Sequence, residues 1–274
     1  MTLPHSLQFP DFTLGAYSTL LDELLGVREL SPLSNWFHGS ARTRRQLLLR
    51  HDVDFSPSLA LPMARLEHQK GVRSTWFIGI HLVYNALGPS QAPAIRELVS
   101  LDHEIGFHYD ATVYDGLDRA EQRGRLRADV AQLESVAGGS IDSIAMHNPS
   151  SSVSSDPFLS GEEFHNAYNP DLMADACYTS DSCRAWRPEG LAACFDLDIP
   201  LAYLLIHPEV WTTRPIPAWR DLLDHLQAQL AAESFPERLD VAALWHKHPA
   251  RAAHDRRVAQ SAGHDRAPIG SPSS

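Results

Sequence analysis

Cysteine and positive charge are both in short supply in this chain, and each shortage removes a class of function. Three cysteines, Cys177, Cys183 and Cys194, are spread over 274 residues. An odd number without Cys-x-x-Cys spacing makes neither a disulfide framework nor a zinc finger, and reads as free thiols in a reducing compartment. Lysine and arginine total 23 against 34 aspartates and glutamates, for a formal net charge of −11. A nucleic-acid partner or an anionic membrane surface needs clustered basic residues, and the short run Arg42, Arg44, Arg45 does not supply them. Also missing is any apolar stretch near the ~20 residues of a membrane span. The opening MTLPHSLQFPDFTLG has neither the basic nor the apolar segment of a secretory signal, so a cytoplasmic protein is expected. There is no internal repeat, and nothing indicates an oligomeric state.

What remains is an ordinary globular composition, 43% hydrophobic and 21% charged, long enough to bury one sizeable core. Leu20, Leu21, Leu24 and Leu25 are spaced for an N-terminal helix. QLLLRH, RSTWFIGI, HEIGFHY, DSIAMH and PLAYLLIH read as strands, the last nearly all apolar, as a strand covered on both faces should be. Helices alternate with them. One is opened by Ser56 as cap with Pro57 in its first turn and ended by Gly71, although Pro62 inside it suggests a later start. Another carries Leu126, Val130 and Leu133 on a single stripe. Alternating strands and helices specify an α/β fold of parallel strands with crossover helices. The expected organisation is a helix and lead-in over 1–45, a barrel or open sheet over 46–247, and a disordered tail over 248–274, whose few large apolar residues cannot offset its ordering entropy.

The strands end in groups capable of chemistry. LLLRHDVD ends on His51, Asp52 and Asp54; HEIGFHYD on His108 and Asp110; SIAMHNPS on His147; LAYLLIHPE on His207 and Glu209. In parallel α/β folds ligands bind beyond the carboxyl ends of the strands, so four strands aim carboxylates and imidazoles at one rim. Asp52 and Asp54, two residues apart, point to one side if the chain is still extended. Two such carboxylates repel unless a cation or proton intervenes, which suits a metal ligand beside a general base; helix and turn capping would account for the same pair. Carboxylate and imidazole donors suit zinc first, with iron, manganese and cobalt as further candidates. His103 falls on the opposite face from His108 and is expected beneath the site.

Taken in order, LLLRHDVD, HEIGFHYD, DSIAMHNPS, YTSDSCRAWR and LLIHPEVW resemble the motifs of the polysaccharide deacetylase superfamily, the NodB-homology or carbohydrate esterase family 4 fold, in a divergent form with RHDVD at the first motif. The resemblance covers about residues 17–211. It implies a distorted (β/α) barrel of about seven parallel strands with a divalent metal at its mouth. It also implies Asp52 as general base, Asp54 and His108 as metal ligands, His207 as general acid, and Asp181 with Trp186 orienting that histidine and walling the pocket. Arg50 and Glu209 are expected around the same pocket. The family's second ligand histidine, four residues after the first, is Thr112 here, so the third ligand is sought in Asp110 or His147. The implied activity is hydrolysis of a C–N amide bond, deacetylating an N-acylated sugar, small or linked to a lipid or nucleotide. Asp52 takes a proton from water and His207 gives one to the leaving nitrogen, and neither is expected to be needed for folding. The competing readings are a catalytically silent sugar-binding or scaffold protein and a different metal enzyme on the same barrel.

Overall fold

The computed structural model describes residues 12–39, 45–149, 156, 158, 159, 163–186 and 188–232. The expected tail at 248–274 lies outside them. By contacts the chain divides into two units, 1–222 and 223–274. Of the second, residues 223–232 are described, the end of a helix.

Helix α1 (Leu14–Leu25) starts where the Thr13 hydroxyl accepts the Ala16 N–H, and it buries Tyr17, Leu20, Leu21 and Leu24. A short strand β1 (Glu29–Ser31) and a single turn α2 (Ser34–Phe37) follow. Strand β2 (Gln46–Val53) is buried at all eight positions, Arg50, His51 and Asp52 included. The rest runs α3 (Pro57–Gln69), β3 (Thr75–Ile78), α4 (Ala92–Ser100), β4 (Glu104–Tyr109), α5 (Arg119–Ala137), β5 (Ser143–Met146), β6 (His165–Asn166), α6 (Pro170–Asp175), β7 (Cys177–Ser180), α7 (Pro188–Ala193), β8 (Leu201–Ile206) and α8 (Trp219–Ala232).

Among the described residues every strand pairing is parallel. Seven strands run in the order β6-β5-β4-β3-β2-β8-β7, with β1 added beside the first half of β2. The last long strand thus returns to pair with the first, the order of a (β/α) barrel. Among the described residues β6 and β7 do not pair with each other, so the barrel is distorted and open, as expected from the sequence. The short strands β1, β6 and β7 were not foreseen: two to four residues carry no readable alternation.

Two local details differ from expectation. Pro62 lies within α3 and does not delay its start at Pro57. Ser56 stands at the cap position, but its hydroxyl meets Gln91 Oε1 at 3.0 Å, and it is that Gln91 oxygen which accepts the Ser58 N–H at 3.1 Å. A glutamine from the β3–α4 connection therefore takes the capping role. Helix α5 follows its signals closely: a capping box joins Asp118 to Glu121, Gly138 ends it at φ 81°, and Leu126, Val130 and Leu133 are buried. Among the described residues no helix is long and apolar enough to cross a membrane.

Candidate active site

Parallel strands place all their carboxyl ends on one rim, and several of the expected polar residues meet there. His108 sits in β4 opposite Ala145 of β5. Its Nδ1 lies 3.0 Å from the Ala145 carbonyl oxygen, and because a carbonyl can only accept, Nδ1 carries the proton. The Nε2 lone pair is left facing the rim, 3.3 Å from Asp54 Oδ1 and 3.7 Å from Asp52 Oδ2. Both aspartates thus approach the same imidazole nitrogen, as their i, i+2 spacing predicted. His147, just past β5, brings Nε2 to 3.8 Å from Asp54 Oδ1, with its ring nearly perpendicular to that of His108. Burial holds the His147 imidazole below its ordinary pKa despite the pull of Asp54, which favours a free lone pair. Burial would raise the Asp54 carboxyl, but His147, His108 and His207 together hold it well below the usual carboxylate range.

Asp54 Oδ1 is a buried atom with no hydrogen-bond donor. Such an orphan is costly unless a cation meets it. One carboxylate oxygen and two imidazole nitrogens form a donor set suited to a divalent transition metal. Ligands about 2.0–2.2 Å from a tetrahedral zinc stand roughly 3.3–3.6 Å from one another, against the 3.3 and 3.8 Å found. The residues fit the ion in kind. Among the described residues, though, no group of three His, Cys, Asp or Glu is arranged so that it could hold a metal ion as it stands. Asp110, the other candidate for third ligand, lies near enough for its charge to act on His147, but one of its oxygens is engaged locally. Its Oδ1 caps the turn Ala111–Tyr114, accepting the Thr112 N–H at 2.9 Å and the Thr112 hydroxyl at 2.7 Å. A short polar side chain at the start of a turn bonds its own backbone in preference to a more distant site. His103 lies beneath the site as expected, buried with Nε2 3.1 Å from the Ala64 carbonyl.

Two further pairs flank this group. Asp52 takes a bidentate contact from Arg50, at 3.0 Å from Nε and 2.8 Å from Nη2. Burial opposes its ionisation, but Arg50 and then His108 hold its carboxyl below the ordinary value. Arg50 was expected at the pocket wall; it is instead fully buried under the rim. Two further donors go to Tyr203 Oη at 2.9 Å and Tyr168 Oη at 2.7 Å, and its guanidinium lies over the ring of Tyr168 at 4.6 Å. A planar fork with aromatic faces beside it suits Arg where a lysine would not.

On the other side, His207 Nδ1 meets Asp181 Oδ1 at 2.7 Å. Asp181, fully buried, also accepts the His207 main-chain N–H and, at 2.8 Å, Trp211 Nε1. Burial works to lower the His207 pKa, but Asp181 outweighs it, with Asp54 and Asp52 adding, and the imidazole is pushed up to about 10. His207 is thus a proton carrier at neutral pH. Trp186 is half-buried, its ring 6.1 Å from Phe12 and 6.3 Å from Trp211, so it backs the tryptophan that orients Asp181. Glu209 is buried and its Oε1 accepts the Asp54 N–H at 2.9 Å. Burial and then the neighbouring Asp54 push its carboxyl up to about 8. Sequence reasoning placed it at the pocket; the structure turns it inward to main chain. It missed Tyr84, Tyr168 and Tyr203 altogether, since nothing in a tyrosine's local sequence says which distant group its hydroxyl will reach.

No family model and no curated protein matches this chain. Similar solved structures exist at low identity. A CE4 family pseudoenzyme from Bacillus anthracis is 15% identical with a TM-score of 0.40, over 71% of this chain and 63% of that one. The chitin deacetylase of the fungal pathogen Colletotrichum lindemuthianum is 17% identical with a TM-score of 0.43, over 67% of this chain and 81% of that one. A family 4 acetyl xylan esterase from Clostridium thermocellum, in complex with a cobalt ion, is 16% identical with a TM-score of 0.39, over 69% of this chain and 84% of that one. The chain spans less than two thirds of the Bacillus anthracis protein it matches.

Proposed function

We propose that this protein is a metal-dependent hydrolase of a C–N amide bond that removes the acyl group from an N-acylated sugar or sugar-linked compound. One observation carries the reading. The buried, unpartnered Asp54 Oδ1 faces the Nε2 atoms of His108 and His147, with an ionised carboxylate and a protonated imidazole on the same rim. Asp54, His108 and His147 would hold a divalent ion, zinc or else iron, manganese or cobalt, which when bound polarises an acyl carbonyl and makes water more acidic. Asp52, kept ionised by Arg50, accepts the proton of the attacking water. His207, kept charged by Asp181, donates one to the nitrogen that leaves. The two tasks need opposite protonation states at the start of turnover, and the two pairs provide them.

The test is direct. Protein loaded with zinc or cobalt is offered N-acetylglucosamine oligomers and nucleotide-linked N-acetylglucosamine, and released acetate is measured. Elemental analysis runs in parallel on wild type, Asp54→Ala, His108→Ala and His147→Ala. The expected outcome is near-stoichiometric metal in wild type, its loss in the three variants, and acetate release that follows the metal. A full complement of metal without hydrolysis of any N-acyl sugar would retire the deacylase reading in favour of another metal enzyme on this barrel. A second reading has specific support: Thr112 stands at the family's second ligand position, and among the described residues no group of three is arranged so that it could hold a metal ion. A catalytically silent sugar-binding protein would bind the same sugars while purifying without metal.

A further inference from the structure

The peptide group that joins Val53 to Asp54 is gripped at both poles by side chains. Its carbonyl oxygen accepts a hydrogen bond from Tyr84 Oη at 2.9 Å. Its N–H donates to Glu209 Oε1 at 2.9 Å. The Tyr84 hydroxyl is itself oriented: it accepts the Gly79 N–H at 2.9 Å, so its only proton is committed to Val53. Both side chains are buried, Tyr84 to 3% exposure and Glu209 to 4%. Gly79 is required at its place, since a Cβ there would stand 2.6 Å from the His108 carbonyl oxygen.

The location of this peptide explains why it needs such partners. The pairing of β2 with β8 ends at His51↔Ile206, and that with β3 at Val53↔Ile78. At the exit of the strand the ladders run out while the chain is still buried, and unpaired main-chain groups there would be expensive. Tyr84, from the connection after β3, and Glu209, from the turn after β8, stand in for the missing neighbours. The side chain that leaves this peptide is Asp54. A tilt of the peptide plane would swing Oδ1 away from His108 Nε2.

We infer that Tyr84 and Glu209 are positioning residues for Asp54, a two-sided clamp on its peptide that aims the carboxylate at the two histidines. The inference rests on the metal reading above. It assigns Glu209 a role apart from substrate contact, and Tyr84 a role that no motif suggested.

The test uses Tyr84→Phe, Glu209→Ala and Glu209→Gln in the full chain, with two readouts. The first needs no metal: hydrogen exchange of the Asp54 amide, by NMR on the metal-free protein. Glu209→Ala should expose that amide and speed its exchange at least about tenfold relative to neighbouring core amides, whereas Glu209→Gln, which keeps an acceptor oxygen, should restore most of the protection. The second is a cobalt titration followed by visible absorption. Tyr84→Phe and Glu209→Ala should weaken the dissociation constant by about 10–100-fold, the usual cost of losing support behind a ligand, and alter the ligand-field bands, with Glu209→Gln again close to wild type. Unchanged Asp54 exchange in Glu209→Ala overturns the clamp. Lost protection with unchanged cobalt affinity and spectrum overturns its positioning role. A wild-type protein that takes up no cobalt overturns that role too, by removing the ion; a still-protected Asp54 amide would show that the metal reading had failed rather than the clamp.

Discussion

At the scale of single residues, the site consists of charges kept in place by buried opposites. His207 is the clearest case. Its folded pKa, pushed up to about 10 by Asp181 against the effect of burial, compares with ~6.5 in an unfolded chain. The folded protein therefore binds more protons than the unfolded one between those values. The stability contributed by this pair is fully present below about pH 6.5 and is lost as pH rises through about 10. Asp181→Asn removes the counter-charge. The alkaline limb of the kcat/KM profile should then move to lower pH by more than about one unit, and the alkaline decline of stability should flatten. A limb that stays where it was would belong to another group. Asp52, expected to be dispensable for folding, forms a buried ion pair with Arg50. Asp52→Asn removes not only a base but the counter-charge of the fully buried Arg50, and stranding one member of a buried ion pair costs about 3–5 kcal/mol. The variant should lose roughly 10²–10⁴-fold in turnover and also melt lower, so activity must be referred to the folded fraction.

Among the elements, one side chain organises a junction that no motif announces. Arg28, 4% exposed, donates to five main-chain carbonyls: Cys194 at 2.5 Å, Ala193 at 3.1 Å, Asp196 at 2.5 Å, Ile199 at 3.0 Å and Gln46 at 3.1 Å. It thereby draws the end of α7 and the loop leading to β8 onto the first residue of β2, where the β2–β8 ladder begins at Gln46↔Leu201. Nε, Nη1 and Nη2 all take part, with three of the carbonyls sharing the two hydrogens of Nη2, a spread that an ammonium's three donors do not match. Arg28→Ala should cost more than about 3 kcal/mol in urea unfolding, because several buried acceptors lose their donor together, and Arg28→Lys should recover only part. An unchanged midpoint in the alanine variant would mean that these carbonyls find other donors.

On the scale of the whole molecule, a ligand that binds only the folded state stabilises it by mass action. Cobalt or zinc at about a hundred times its dissociation constant should add roughly 2.7 kcal/mol and raise Tm by several degrees. The same titration of Asp54→Ala should leave Tm where it was. A rise of equal size in that variant would locate the ion elsewhere. Some of this architecture was legible in the sequence because the signals are local. The apolar run of β2, the stripe and caps of α5 and the polar groups at the ends of β2, β4, β5 and β8 all lie within short windows, where side-chain period and turn chemistry act. The motif order added the barrel. What tertiary structure alone decided concerns pairs far apart in the chain. His147 Nε2 comes within 3.8 Å of Asp54 Oδ1, while Asp110 Oδ1 bonds its own turn. Gln91 rather than Ser56 caps α3. Arg50 turns beneath the rim to Tyr168 and Tyr203, and Glu209 turns inward to the Asp54 N–H. A sequence states which groups can form hydrogen bonds and ion pairs. Which ones do is settled by the folding of the sheet, since a buried polar atom must take whatever partner the converging loops bring within reach.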